Sequence, residues 1–242
     1  FKGEEQFTAA ILGVVNPTQP KLYFTTGHGE HDLDGATQDG LSQLEEYLKR
    51  DNLLAETNAF ILAAGAVPAM TWLDGMSAGE QAIEEWLDVS QAGGAAAVNI
   101  IPDRNYTPET RDRKLENLYD VVERANRRNL FVIAGTEMNS PGNKFVDRFD
   151  TLELKPLLPV FVRGANIAYG HTMLQRRCAM GYTSDWARRE LPDAATRNNF
   201  YETMGIVLDP SRPEVLDGLE IGAKAGEALD RVLHSLRHCP GR

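Results

Sequence analysis

Ala96-Ala97-Val98-Asn99-Ile100-Ile101-Pro102-Asp103-Arg104-Asn105 and Leu130-Phe131-Val132-Ile133-Ala134-Gly135-Thr136-Glu137-Met138-Asn139 decide the fold. Each is a short apolar run that empties into a turn carrying an acid. Between them Leu115, Leu118, Tyr119, Val122 and Ala125 share one face of a helical repeat, opened by Thr107-Pro108-Glu109. Strand, helix and strand in so short a span make a βαβ unit, which forces the two strands parallel. Upstream, Val67–Leu73 reads as a further strand and Asp74-Gly75 as its turn. Ser77 with Glu80 has capping-box spacing, and the helix it opens stops at Gly93-Gly94. Downstream, Leu154–Val162 is read as helical despite Pro156 and Pro159, and Ala165-Asn166-Ile167-Ala168-Tyr169-Gly170 as a third strand-like run that delivers His171. The remainder is mainly helical, over roughly 172–180, 184–190, 193–204 and 219–237.

Strands alternating with helices predict an α/β fold, a distorted or incomplete TIM-like (β/α) barrel with parallel strands. Two parts are expected. Residues 1–66 form an N-terminal α/β segment, Rossmann-like or standing in for the first strands, and residues 67–242 a barrel-like domain with a helical C-terminus. The 242 residues carry a net charge of −10, which argues against non-specific nucleic-acid binding, since that needs a basic surface. No run of about 18 apolar residues suggests a membrane span. Residues 1–20 lack the charged start and apolar core of a signal peptide. The two cysteines, Cys178 and Cys239, lie far apart, so a reduced, cytoplasmic setting is expected.

In a parallel sheet, Asp103, Glu137 and His171 would leave the same edge. Two carboxylates and an imidazole can hold Zn, Mn or Fe and activate a bound water. Each has a plainer reading. Asp103 suits a helix cap, and a single histidine is as often a satisfied core or loop residue. Glu137 is a poor turn residue and stands out most. Arg104 and Arg176 are candidates for steadying developing negative charge on a small anionic substrate, with Lys144 a surface cation more than a ligand. Asp74 is read as a turn residue that could join the site. His28, Glu30, His31, Asp32 and Asp34 read as a solvated turn, because His28 and His31 lack the spacing that puts two imidazoles on one face of a strand.

Val98-Asn99-Ile100-Ile101-Pro102-Asp103-Arg104 and Ile133-Ala134-Gly135-Thr136-Glu137-Met138-Asn139, with the helix between them, resemble the middle of a polymerase and histidinol phosphatase (PHP) type metal-dependent hydrolase. That resemblance covers roughly residues 66–205. It implies a strand ending in an Asp-His pair and a later strand ending in Gly-x-Glu, whose Glu bridges metals. Gly135-Thr136-Glu137 matches the second; Asp103-Arg104 matches half of the first, with Arg104 where a histidine is expected. The family's opening His-x-His pair is not present. Phe1–Ile11 with Tyr23-Phe24-Thr25-Thr26-Gly27-His28-Gly29-Glu30 resembles instead the auxiliary subunits of gliding-motility-type ABC transport systems. The two resemblances meet near Gly65-Ala66-Val67-Pro68, the pattern of a fusion or chimera. The sequence thus leads to a metal-dependent hydrolase, with phosphate esters as candidate substrates, or to a non-catalytic ligand-binding or transporter-auxiliary domain with a degenerate metal site.

Overall fold

A computed structural model describes residues 56–106, 110–136 and 145–237. Contacts divide the chain into two units, Phe1–Phe60 and Ile61–Arg242, and all the strands and helices named below belong to the second. The Tyr23–Glu30 stretch and the turn around His28 lie outside the described residues, as do Glu137 and Lys144.

Three short strands form the sheet: β1 (Ala69–Trp72), β2 (Ala97–Ile100) and β3 (Phe131–Ala134). They are parallel and ordered β1-β2-β3, with Trp72 opposite Ile100 and Ile100 opposite Ala134. α1 (Ala78–Gln81) and α2 (Ile83–Ala92) connect the first pair; α3 (Arg111–Arg127) connects the second. Both connections lie on one face. Met70, Trp72, Val98, Ile100 and Val132 point into it and meet Leu87 of α2 and Leu118, Val121, Val122 and Ala125 of α3. The 3–4 residue spacing of the α3 set is the apolar stripe expected for a helix laid on a sheet.

The other face carries Ala97 and Phe131 under a second cluster that includes Ile167, Leu174, Tyr182, Trp186, Phe200, Tyr201 and Met204. These come from α4 (Leu158–Cys178), α5 (Asp185–Glu190), α6 (Ala194–Val207) and the turns between them, and α7 (Ala225–Arg237), the last described helix, buries Ala228 and Val232. Tyr182 sits edge-on to Phe131 and tilted against Tyr201, at 5.4 and 5.3 Å between ring centres. The buried Tyr182 phenol is pushed up to about 12 by loss of solvent and donates to Asn198 at 2.7 Å.

The expected third strand does not form. Ala165–Gly170 lies inside α4. The buried residues Phe161, Gly164, Ile167, Gly170 and Leu174 recur every three or four positions, which is helical spacing. The two glycines on this face, Gly164 and Gly170, are there for contact. A Cβ at 164 would land on the carbonyl oxygen of Val132, one at 170 on that of Tyr201, and one at Gly205 on that of Asn166. The first contact also limits the sheet. Phe131 and Gly135 donate toward β2, to Ala96 and Ile100. Backbone groups alternate sides along a strand, so those of Val132 face away from β2, onto the edge where a fourth strand would pair. α4 covers that edge. The described residues form an open three-stranded α/β sheet, and a closed barrel is not among them. No helix among them is long and apolar enough to cross a membrane.

Gly164→Ala is expected to cost about 3 kcal/mol and lower the melting temperature by roughly 6–12 °C, because helix backbone and strand carbonyl cannot both hold their places. Gly222→Ala, with nothing within 4 Å of the added carbon, is expected to change stability by less than about 0.5 kcal/mol. Denaturation midpoints of the two variants check the pair.

Candidate functional site at the carboxyl edge of the sheet

Parallel pairing sends the chain out of β1, β2 and β3 at a common edge. At the exit of β1, Leu73 donates its amide to Glu80 Oε1 at 2.6 Å. Glu80 Oε2 accepts from the Ser77 hydroxyl at 3.0 Å, and Ser77 Oγ accepts the Glu80 amide at 3.3 Å. The expected Ser77–Glu80 cap therefore forms, with the carboxylate reaching past the cap to the strand end. Glu80 is only 6% exposed, and both its oxygens are occupied by local donors. Asp74 Oδ1 accepts the Met76 amide at 3.1 Å. Gly75 takes a φ of +70°, where a Cβ would also strike Asn117. Asn117 donates to the carbonyls of Asp74 and Gly75, both at 3.2 Å.

At the exit of β2 the chain enters a 3-10 helix, Pro102–Tyr106. Asn105 is fully buried and donates to Leu73 O at 3.2 Å and Ile101 O at 3.1 Å, tying this exit to that of β1. Its Oδ1 has no hydrogen-bond partner. Lys114, 8% exposed on α3, places its ammonium 2.8 Å from Asp74 Oδ2 and 3.2 Å from Arg104 O. At the exit of β3, Gly135 leaves room for Asn99, whose amide donates to the Thr71 hydroxyl at 3.3 Å on the less covered face. Beside the β1 exit, a cavity of about 150 Å³ is lined by Trp72, Gly75, Glu80, Arg113, Asn117 and Asp120.

Asp103 occupies the second position of the 3-10 helix, and its side chain lies outside the described residues. Glu137 lies outside them as well. Arg104 is exposed at this edge. His171 is elsewhere. It is a helical residue of α4, and its Nδ1 accepts the Tyr182 amide at 2.9 Å. Tyr182 abuts Phe131, the first residue of β3. One turn on from His171, Gln175 meets Gly65, ahead of β1, and accepts the Gly181 amide at 3.0 Å. The Thr183 hydroxyl donates to Ala66 O at 3.1 Å. All of these mark the amino edge, so His171 and Asp103 stand at opposite ends of the sheet. Arg176 is exposed in the last turn of α4, on the His171 side. The expectation that His171 leaves a strand beside Asp103 is corrected: helical packing of α4 against β3 carries it the other way. Among the described residues no three His, Cys, Asp or Glu side chains stand together to hold a metal.

Asn99, Asn105, Lys114 and Asn117 were not legible as site residues, although one signal existed. Lys114 falls in register with the buried stripe Leu118, Val121, Val122 and Ala125, a position where a solvated lysine is unexpected.

Burial pulls the His171 imidazole below its ordinary 6.5, and its Nδ1 must be unprotonated to accept from Tyr182. A base whose folded value is depressed contributes stability that is complete above its unfolded value and is lost as pH falls through the folded one. Stability should therefore decline as pH falls through the ordinary 6.5 toward the lowered folded value. His171→Asn, which keeps an acceptor and cannot protonate, should flatten that part of the profile; urea midpoints across the range measure it. Compared with known proteins, the chain matches no family model, no curated protein and no solved structure.

Proposed function

We propose that this chain is a metal-dependent hydrolase whose site lies at the carboxyl edge of the sheet, with Asp103 and Glu137 as metal ligands. One observation carries the reading. Ile100 and Ala134 are partners in parallel register, Asp103 follows the first by three residues and Glu137 follows the second by three. Each acid thus follows, by the same three residues in sequence, a strand end at the carboxyl edge where such sheets bind ligands. The order β1-β2-β3 with both connections on one face supports a likeness to three consecutive units of a (β/α) barrel, shortened where α4 covers β3.

With His171 at the other edge, the donor set is oxygen. Carboxylates, amide carbonyls and water suit a hard cation, Mn²⁺ or Mg²⁺, better than Zn²⁺. Such an ion would supply Lewis acidity and an acidified water. The chain's own contribution is placement. Asn105 and Lys114 fix the turn that bears Asp103, and Arg104, exposed in the same turn, would be the cation to meet an anionic substrate such as a phosphate ester. Arg176, on the far side, has no part in this arrangement.

A second reading, a non-catalytic ligand-binding domain, is favoured by His171: its position removes the one nitrogen ligand the sequence offered. Calorimetric titration of the whole chain separates the two. The hydrolase reading expects about one equivalent of Mn²⁺ to bind and p-nitrophenyl phosphate to be cleaved in its presence, with both lost in Asp103→Asn and Glu137→Gln. A wild-type chain that binds neither Mn²⁺ nor Mg²⁺ leaves the second reading standing.

A further inference from the structure

We infer that His171 is an acid-released latch: a proton on its Nδ1 removes the acceptor that holds Tyr182, and frees the loop between α4 and α5 together with that loop's tie to the segment entering β1. The latch lies at the amino edge and stands apart from the carboxyl-edge site. Two side chains of α4, one turn apart, receive consecutive amides of the loop. Gly181 donates to Gln175 Oε1 at 3.0 Å, and Tyr182 donates to His171 Nδ1 at 2.9 Å. The loop is pressed onto both, since a Cβ at position 181 would strike Gln175 Oε1 and His171 Cε1. The next residue, Thr183, donates its hydroxyl to Ala66 O at 3.1 Å. The loop thus bridges α4 to the chain that leads into β1.

The Tyr182 bond fixes the tautomer of the neutral ring, with Nδ1 bare and the hydrogen on Nε2. Protonation adds the second hydrogen at Nδ1 itself, so two donors then face each other across the same contact and the partners must part. His171 sits in a helix whose neighbours Ile167 and Leu174 are fully buried, so the loop is the part that yields. No counter-charge holds the imidazolium in place. Loss of solvent is what lowers the ring's value, and no charged group among the described residues contributes. On α4, Arg176 is exposed, Arg177 pairs with Asp217, and the Cys178 thiol donates to Leu216 O. The Tyr182 and Tyr201 phenols are turned to Asn198 and to Met180 O, and residues 65–67 carry no titratable side chain. The charged ring gains solvation only when the loop opens. Gln175 does not titrate, so its hold on Gly181 persists and release begins at Tyr182.

Amide hydrogen exchange of the whole chain, expressed as protection relative to an unstructured peptide at the same pH, tests the latch. Phe131, whose amide is bonded within the sheet to Ala96 O, reports global unfolding. Tyr182 is expected to be less protected than Phe131 at every pH, because its bond opens locally. Below the ordinary 6.5, and as far as the lowered folded value, Tyr182 protection is expected to fall about ten-fold per pH unit. His171→Asn, which keeps an acceptor and cannot protonate, should abolish that dependence. Equal protection of Tyr182 and Phe131 overturns the latch, since the bond then opens only with the whole fold. So does a Tyr182 protection that ignores pH, or one that falls as steeply in His171→Asn. If that variant does not fold, the wild-type ring decides by NMR. The latch requires the neutral ring to carry its hydrogen on Nε2 and the Tyr182 amide resonance to titrate with it; a hydrogen on Nδ1, or a Tyr182 amide indifferent to the titration, overturns it.

Discussion

The contact between the Gly164 backbone and the Val132 carbonyl sets the limits of this fold. β3 has one side paired with β2 and one side free, and a free strand side with unpaired amides and carbonyls is a template for another strand. Glycine at 164 lets α4 come close enough to shut that side. Everything after β3 follows from the choice. Among the described residues the sheet has three strands, α4 runs antiparallel to them along the edge, and its C-terminal turns, with His171 and Gln175, arrive at the amino end. Phe161 at the start of α4 belongs to the cluster on one face, while Ile167 and Leu174 belong to the cluster on the other, so a single helix joins both cores.

α6 then packs on α4 by the same device. Gly170 against Tyr201 and Gly205 against Asn166 bring two helix backbones together in antiparallel order. Close approach widens the area over which side chains interdigitate, and each small dispersion contact is summed over that area. Aromatic rings do the rest: Phe131, Tyr182, Tyr201, Phe200 and Trp186 form a chain of ring contacts with centres 5.2 to 5.7 Å apart. By comparison the ion pairs of Arg124 and Arg128 with Glu84 and Asp88, which join α2 to the end of α3, and that of Arg124 with Asp120 within α3, lie at the solvated surface and add little.

Sequence periodicity made the first half of the unit legible. Phe131–Ala134 forms the strand its composition indicates, β1 and β2 fall inside their expected ranges, and the Ser77 cap and the Gly93 stop are where the residues place them. There the apolar pattern is the whole determinant, because each element buries one face against a neighbour close in sequence. The pattern misled at Ala165–Gly170. Six residues are too few to separate period 2 from period 3.6, and the glycines that argue against a helix by propensity owe their presence to partners 31 and 32 residues away. The pairing of the two strand ends, Ile100 with Ala134, could be read from the two apolar runs. The placement of His171 could not, because it depends on which side of β3 the next element takes.

Lys114 raises an energetic question that its burial makes sharp. A leucine there would extend the stripe of Leu118, Val121 and Ala125 and add about 1.5–3 kcal/mol of apolar burial. The lysine forgoes that and loses hydration as well. Its ion pair with Asp74 roughly offsets the second loss, since replacing a buried pair by apolar residues is often neutral or stabilising by about 1–4 kcal/mol. Apolar burial alone would favour leucine at this position. What separates it from leucine is directional: a donor that reaches Asp74 in one loop and the Arg104 carbonyl in another. Asn105 repeats the pattern, a fully buried amide that gives its hydrogens to carbonyls of both strand exits and leaves one oxygen without a partner. Two costly polar side chains converge on the five residues that contain Asp103. The free energy they forgo goes into fixing the geometry of that turn.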